Sequence, residues 1–367
     1  MMKFWKRAVA VMGAAALCMG IPAHFPAQLT TPLSVQAADT LQYENLTYQV
    51  TSAGNITITG CDASAEAVTI PAEIDGKPVA RIGERAFFCA KNLTSVTIES
   101  GVKLLETHCF YGCEKLDHVV IPDSVTGIEA MAFYGCLSLE DLTIPTSVRE
   151  IGYEAFTKTP WFDKKAAKNP LVTVNRVLLD GKGCTGKVVI PDYVACVGGY
   201  AFFSNIKITE VVLPKNLTRI AEGAFYDADA LTKITIPATV KAIDKRAFGA
   251  CTSLTDLFFA GTREQWEAIS MGDEAVPDTI TVHTADEVMK GDFDGDGTVS
   301  ISDAYQTLLV YADVSAGGEA DLTQMQFWAA DVDADNSITI ADAYTILLYY
   351  AEHTAGNPIS WEELLHN

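Results

Sequence analysis

The 367-residue sequence predicts a solenoid of short β-strands followed by a small all-α module. An Ala-Phe dipeptide returns every 23 residues, or after 46 residues across one aberrant segment. Near the C-terminus, two acidic twelve-residue loops begin at Asp292 and Asp331, 39 residues apart, and a similar apolar stretch follows each of them. A fixed period of this length indicates stacked structural repeats, and the duplicated loops indicate a separate metal-binding unit.

Each repeat has the alternation of a half-buried strand. In one clear copy, Leu93, Val96 and Ile98 are predicted to face the core, while Ser95 and Thr97 face solvent. One aromatic ring per coil then enters the core, so stacking is expected to build a continuous hydrophobic column. The rings are those of Phe87, Phe110, Phe133, Phe156, Phe202, Phe225 and Phe248.

These periodic anchors are typical of a leucine-rich-repeat solenoid, and they resemble the BspA-like leucine-rich repeats of bacteria. The resemblance implies an N-terminal cap at residues 38–75 and a solenoid with its C-terminal cap at residues 76–283. Trp266 is expected to cover the last core layer. Residues 159–183 carry neither the Ala-Phe nor the Ile-Pro dipeptide of the other coils, so we expect a distorted coil with a protruding loop.

The first 37 residues have the parts of a secretory signal. Three basic residues precede an apolar run at residues 8–21, which is too short to span a bilayer. Residues 35–37, Val-Gln-Ala, fit a cleavage site, and no later run of 18 apolar residues occurs. We therefore expect an exported protein without a membrane span.

The net charge of −21 is concentrated at the C-terminus, where residues 286–367 hold 16 Asp or Glu residues against the single Lys290. Such a surface argues against a nucleic acid as partner. Bound cations would offset part of the self-repulsion, so this module is expected to fold poorly without metal.

The cysteines suggest core packing rather than disulfides at four positions. These residues recur at fixed repeat positions, where small apolar side chains fill a core, so free, buried thiols are predicted. They are Cys109, Cys113, Cys136 and Cys251. The state of the other cysteines stays open.

Both acidic loops have the ligand spacing of an EF-hand-type calcium loop. Carboxylates occupy loop positions 1, 3, 5 and 12, position 7 offers a backbone carbonyl, and a hydroxyl at position 9 can act through water. In the first loop these positions are Asp292, Asp294, Asp296, Asp303, Thr298 and Ser300. In the second they are Asp331, Asp333, Asp335, Asp342, Ser337 and Thr339. We expect two Ca²⁺ ions, with Gly297 and Asn336 allowing the turn at position 6.

The duplicated loop-helix unit at residues 291–367, which follows a linker at residues 284–290, resembles a dockerin, the module that plugs secreted proteins into a cellulosome. The resemblance implies a cohesin module of a scaffoldin as partner. It places recognition at loop positions 10 and 11 and on the helix beyond, here Ile301, Ser302, Leu308, Leu309, Ile340, Ala341, Leu347 and Leu348. Positions 10 and 11 lack the Ser-Thr pair of the best-known type, which leaves the cohesin type open.

The helices of this module are expected to be amphipathic. The leucines above, with Tyr305 and Tyr344, form apolar faces, most of which should pack the two helices together while the remainder docks the partner. Residues 321–330 are predicted to form the intervening helix.

No sequence motif of a hydrolase or of a phosphate-binding loop occurs, so we predict a non-catalytic protein. The outward strand positions of the solenoid mix polar and β-branched residues, which suits an unidentified protein ligand. The predicted location is extracellular, in a cellulosome or at the cell surface through the scaffoldin. Alternatively, the chain is a polysaccharide-degrading enzyme whose active site has no recognisable motif, and adhesion is a further possible role of the repeats.

Overall fold

The computed structural model describes residues 40–365, so the predicted secretory signal and its cleavage site lie outside the described residues. Short strands and tight turns occupy most of residues 41–284. The strands of the first part are β1 (Leu41–Tyr43), β2 (Leu46–Val50), β3 (Ile56–Cys61), β4 (Ala67–Ile70), β5 (Glu73–Ile74), β6 (Lys77–Ile82), β7 (Ser95–Ile98), β8 (Leu104–Leu105), β9 (His118–Val120), β10 (Gly127–Ile128) and β11 (Glu150–Ile151). Those of the second part are β12 (Val172–Val174), β13 (Val177–Asp180), β14 (Gly186–Val189), β15 (Cys196–Val197), β16 (Ile208–Val212), β17 (Arg219–Ile220), β18 (Lys233–Pro237), β19 (Ala242–Ile243), β20 (Asp256–Ala260), β21 (Ser270–Met271) and β22 (Thr281–Thr284).

Most successive coils stack in parallel, and most of them give one strand to each of two sheets. In the C-terminal half, β14-β16-β18-β20-β22 form one sheet and β12-β13-β15-β17-β19-β21 form the other. In the N-terminal half, β4-β7-β9 face the sheet that runs β1-β2-β3-β6-β8-β10-β11. Register partners such as Val212 and Thr235 are 23 residues apart. The antiparallel β1-β2-β3 meander closes the N-terminal end.

The core is a ladder of stacked phenylalanine rings, one per coil. Ring centroids of Phe87, Phe110 and Phe133 are 4.9 and 5.1 Å apart, and their planes are nearly parallel. Leu93, Val96 and Ile98 are buried as predicted, and the intervening Thr97 is exposed. The 23-residue period therefore predicted the core correctly.

The aberrant coil is more ordered than the predicted protruding loop. Residues Pro160–Lys168 form helix α1, whose N-cap is Thr159 with its hydroxyl accepting a hydrogen bond from the amide of Phe162. After it, β12 and β13 form an antiparallel pair. The helix projects Trp161 into the core, 4.9 Å from the ring of Phe156.

The predicted continuous column is divided at this coil into two buried clusters. The first cluster ends with Val177 and the second begins with Leu178. Gly181 faces the ring of Phe202, and a Cβ at this glycine would lie 2.2 Å from that ring. No phenylalanine occupies the repeat position between Phe156 and Phe202, where Leu179 stands, so Trp161 from one side and backbone from the other fill the core there.

The C-terminal end of the solenoid is closed by helix α2 (Arg263–Glu267), which has a Thr262/Gln265 capping box. Trp266 on this helix lies 5.3 Å from the ring of Phe259, so its predicted role at the last core layer is confirmed. The strand β22 and a 3₁₀ helix (Ala285–Glu287) run into the predicted linker.

The predicted core thiols are confirmed. Cys109, Cys113, Cys136 and Cys251 are buried and form no disulfide. The Cys113 thiol donates a hydrogen bond of 3.0 Å to the carbonyl of Phe87, one coil earlier, and two of the other thiols repeat this contact with their own preceding phenylalanine.

The C-terminal module contains helices α3 (Ile301–Ser315), α4 (Gln324–Ala330), α5 (Ile340–Thr354) and α6 (Trp361–Leu365). Helix α4 begins at Gln324 rather than at residue 321 because Thr323 caps it. Helix α6 was not predicted, and its Trp361 ring stacks on Tyr349 with centroids 4.1 Å apart. Within residues 40–365, no helix is both long and apolar enough to cross a bilayer.

Candidate functional site

The first acidic loop is organised around Asp292, which is buried. One of its carboxylate oxygens accepts hydrogen bonds from the amides of Gly295 and Asp296, and the other accepts from the amide of Gly297. Asp296 in turn accepts from the amide and hydroxyl of Thr298. The loop therefore curls around its own first residue.

The second loop repeats this arrangement. Buried Asp331 accepts from the amides of Asp335 and Asn336, at 3.1 and 2.9 Å. Asp333 accepts from the same Asp335 amide, and Asp335 accepts from the amide of Ser337. The two loops thus share both spacing and fold.

Positions 4 and 6 of both loops adopt the left-handed conformation. Gly295 and Gly297 have φ of 73° and 88°, and Ala334 and Asn336 have φ of 58° and 66°. The tolerance of Asn336 was predicted from the sequence. The left-handed alanine was not, and an alanine pays a steric cost there that glycine avoids.

The last acid of each loop also belongs to the helix that follows. Asp303 is fully buried and accepts hydrogen bonds from the amide and hydroxyl of Ser300, which is the N-cap of α3. Asp342 makes the same contacts with Thr339, the N-cap of α5. The structure therefore uses the predicted position 9 hydroxyls as helix caps and joins each loop rigidly to one helix.

Carboxylate oxygens converge in both loops. Those of Asp292, Asp294 and Asp296 all lie within 4.8 Å of one another, as do those of Asp331, Asp333 and Asp335. Burial, together with the charges of Asp342, Asp333 and Asp335, raises the pKa of Asp331 to about 7. Like charges held this closely repel each other, and a set of oxygen donors of this kind fits a hard divalent cation such as Ca²⁺.

The helices after the loops pack through small residues. The buried centre of the module is Ala304, Val332 and Ile346, with Trp361 and Leu365 against it. This overturns the expectation that the leucines and tyrosines mostly join the helices. Five of these side chains are exposed, and Leu348 is half-buried. The exposed ones are Leu308, Leu309, Leu347, Tyr305 and Tyr344.

All of these exposed side chains except Leu309 line an apolar groove between α3 and α5, with a volume of about 330 Å³. Its lining consists of four pairs related by the 39-residue duplication: Ile301 and Ile340, Ala304 and Ala343, Tyr305 and Tyr344, Leu308 and Leu347. Ser302, Ala341, Leu309 and Leu348 lie outside this lining. The sequence pattern predicted helix packing for the two tyrosines. Their spacing of four residues from Ile301 and Ile340 is the signal that places them on the groove.

On the solenoid, outward side chains of the C-terminal sheet form a column in register. It consists of Val189, Val212, Thr235, Phe258 and His283. Val189 is 60% exposed and Val212 is 38% exposed. This column is the most apolar part of the predicted ligand-binding face of that sheet.

Comparison with known proteins identifies the repeats. The model of the BspA type leucine rich repeat region matches residues 54–166 and 179–272 in six copies. The match omits most of the aberrant coil's hairpin and ends before the C-terminal module. No curated protein matches the sequence.

Solved structures of leucine-rich repeat proteins are similar to parts of the chain. The leucine-rich repeat protein TpLRR of T. pallidum is 24% identical, with 59% of this chain and 91% of that chain covered and a TM-score of 0.35. A leucine-rich repeat protein of Bacteroides capillosus ATCC 29799 is 30% identical over 34% of this chain and 94% of its own, with a TM-score of 0.32. One of Bacteroides ovatus ATCC 8483 is 18% identical over 68% and 91%, with a TM-score of 0.33.

The family match covers more than half of the chain, and the repeats that it covers are those whose phenylalanine rings form the stacked ladder. The chain belongs to the BspA type leucine rich repeat family.

Proposed function

We propose that this chain is an exported, non-catalytic binding protein anchored by its C-terminal module, residues 291–367. The module binds two Ca²⁺ ions and docks a cohesin of a scaffoldin, and the solenoid binds a protein ligand outside the cell. The proposal depends on one observation, the direct connection of each acidic loop to a helix that lines the exposed groove.

The donor sets of the two loops support calcium. One ion would be held by carboxylates of Asp292, Asp294, Asp296 and Asp303 and by the carbonyl of Thr298, the other by Asp331, Asp333, Asp335, Asp342 and the carbonyl of Ser337. A bound cation neutralises carboxylates that otherwise repel each other within 4.8 Å. Loops that are stabilised in this way hold the first turns of α3 and α5 in place.

The groove supports a protein partner. Its lining is almost wholly apolar, and Tyr305 and Tyr344 are 60% and 64% exposed. Apolar side chains exposed together mark a site that another protein covers, and tyrosine is frequent at such sites. Calcium fixes the relative placement of the two helices, so cohesin binding should require the metal.

Calorimetric titration of the full chain with Ca²⁺ tests the metal sites. We expect two binding events, with one lost in Asp292→Ala and the other in Asp331→Ala. Asp321→Ala is the control, because this acid lies in the module but outside both loops. If the heat of Ca²⁺ binding in both loop variants equals that of the unchanged chain, the proposal is contradicted.

Pull-down on immobilised cohesin modules of several types tests the partner. We expect capture in calcium, loss in excess chelator, and at least tenfold weaker binding for Tyr305→Ala combined with Tyr344→Ala. The two halves of the groove are related by the duplication, so a cohesin can bind through either half. Each single variant should therefore lose less affinity for cohesin than the double variant. Calcium binding without capture by any cohesin would retain the metal sites and reject this partner.

A further inference from the structure

Helix α4 of the C-terminal module lies against the outward face of the solenoid's C-terminal sheet. The rings of Trp328 and Phe258 meet edge to face, with centroids 5.8 Å apart and planes at 75°. On the neighbouring strand, the Thr235 hydroxyl donates a 2.9 Å hydrogen bond to the side-chain oxygen of Gln324. An edge-to-face ring pair beside a polar contact is the geometry of a specific interface.

A third contact joins the second acidic loop to the solenoid. The Lys215 ammonium donates a 2.8 Å hydrogen bond to the backbone carbonyl of Asp335. Lys215 follows β16, whereas Thr235 and Phe258 lie on the next two strands, so the module touches three successive coils.

The solenoid sequence departs from its own repeat where the module sits. Phe258 pairs in register with Thr235, and the column continues through Val212 to Val189. The aromatic ring at this one position is stacked on His283 and capped by Trp328, with centroids 5.1 and 5.8 Å away. An exposed phenylalanine in a sheet is costly in water, and α4 shields it.

We propose that α4 is a tethered ligand of the solenoid: the outward face of the C-terminal sheet is a protein-binding surface, and in the free protein the chain's own module occupies its C-terminal end. None of the residues that line the groove between α3 and α5 takes part in these three contacts. Val189 and Val212 stay exposed, so an external ligand that extends along the column to Phe258 must displace α4.

The occupation of the sheet by α4 goes beyond calcium and cohesin binding, and its test does not require proof of either. The full chain is acylated on its lysines at one fixed calcium concentration, and mass spectrometry measures the acylation rate of each. The rate at Lys215 shows how often its ammonium group leaves the carbonyl of Asp335. Lys233 is the internal reference, because it lies on the same face and its ammonium is 4.0 Å from Glu210 rather than against the module. Hydrogen exchange of the α4 amides gives a second readout.

The decisive variant is Phe258→Thr. Threonine already occupies the same column at Thr235, so the strand should tolerate it. We expect Lys215 to be acylated about fivefold faster, the factor that corresponds to one ordinary hydrogen bond, and the α4 amides to exchange faster. Trp328→Ala should give the same result from the module side, while Leu309→Ala, which removes an exposed leucine elsewhere on the module, should change neither readout.

An unchanged Lys215 rate and unchanged α4 exchange in Phe258→Thr would overturn the proposal. If Trp328→Ala unfolds the module, the Phe258→Thr result still decides, because that substitution leaves every module residue intact. Phe258→Thr and the unchanged chain are compared at the same calcium concentration, so this comparison gives an answer whether or not the chain binds calcium or cohesin, and the two proposals can fail separately.

Discussion

Trp161 packs on Phe156, with ring centroids 4.9 Å apart, at the one coil where the repeat supplies no phenylalanine. The indole comes from helix α1 and is only 8% exposed. It closes the first core cluster, which would otherwise end in an open layer.

We predict that Trp161→Ala lowers the free energy of unfolding by about 3–5 kcal/mol, because it opens a large cavity beside Phe156. Trp161→Phe should recover most of the loss, since phenylalanine fills this layer in the other coils. Chemical denaturation measures both. Lys164→Ala, at an exposed site on the same helix, is the control and should stay within about 0.5 kcal/mol; a cost for Trp161→Ala no larger than this would contradict the role assigned to the indole.

The sequence predicted the solenoid wherever the 23-residue period holds, since a fixed period places one ring in every layer. It did not predict α1, because the aberrant segment lacks the repeated residues and the period gives no information about its structure. A local signal was nevertheless present, as Thr159 followed by Pro160 is a common start of a helix. The helix caps after the acidic loops were equally readable, with Ser300 and Thr339 each three residues before an acid.

The surface of the module was harder to predict. An amphipathic pattern shows that a helix has an apolar face but does not show what covers that face. Ala304 and Ala343 let α3 and α5 approach closely, so the larger side chains beside them stay outside. The contact between Phe258 and Trp328 joins residues 70 positions apart on different elements, and no local sequence pattern predicts it.

The second loop carries a strained residue that the first avoids. Ala334 has φ of 58°, whereas Gly295 occupies the equivalent position of the first loop. We predict that Ala334→Gly stabilises the calcium-loaded module by about 0.5–1 kcal/mol, because glycine adopts this conformation without the steric cost. Native-state hydrogen exchange of α5 measures it separately from the solenoid.

The reciprocal variant is Gly295→Ala. A Cβ at this glycine would meet nothing within 4 Å, so only the backbone conformation should matter. Destabilisation of α3 by about 1 kcal/mol is expected. Equal and opposite changes would support a common loop geometry, whereas no change in either variant would contradict it.

The buried thiols should be chemically inert in the folded chain. Burial raises the pKa of Cys113 and of Cys251 to about 12, and it raises the pKa of Cys109 and Cys136 well above the ordinary value. A raised pKa lowers the thiolate fraction, so at pH 8 only roughly one thiol in ten thousand would be ionised at a pKa of about 12. We predict negligible alkylation of these four cysteines by iodoacetamide in native protein and rapid alkylation in denaturant, read by peptide mass spectrometry. Labelling of Cys113 or Cys251 at the rate of a small free thiol would contradict this picture.

Calcium binding in the second loop should strengthen the contact between that loop and the solenoid. Lys215 contacts the carbonyl of Asp335, and that carbonyl is positioned by a loop whose amides bond to Asp331 and Asp333. If cation binding stabilises this loop, chelation should loosen the contact, so we predict faster acylation of Lys215 in excess chelator than in calcium, with Lys233 unchanged.

One variant in each loop shows which loop controls the acylation rate of Lys215. Asp333→Ala in the second loop should raise the Lys215 rate even in calcium, whereas Asp294→Ala, the equivalent exposed acid of the first loop, should not, because the first loop makes none of the three contacts with the solenoid. Equal effects of the two variants would mean that the whole module loosens together rather than through Asp335. No effect of either variant, with calcium binding shown to be lost, would mean that the contact between the module and the solenoid does not depend on the metal.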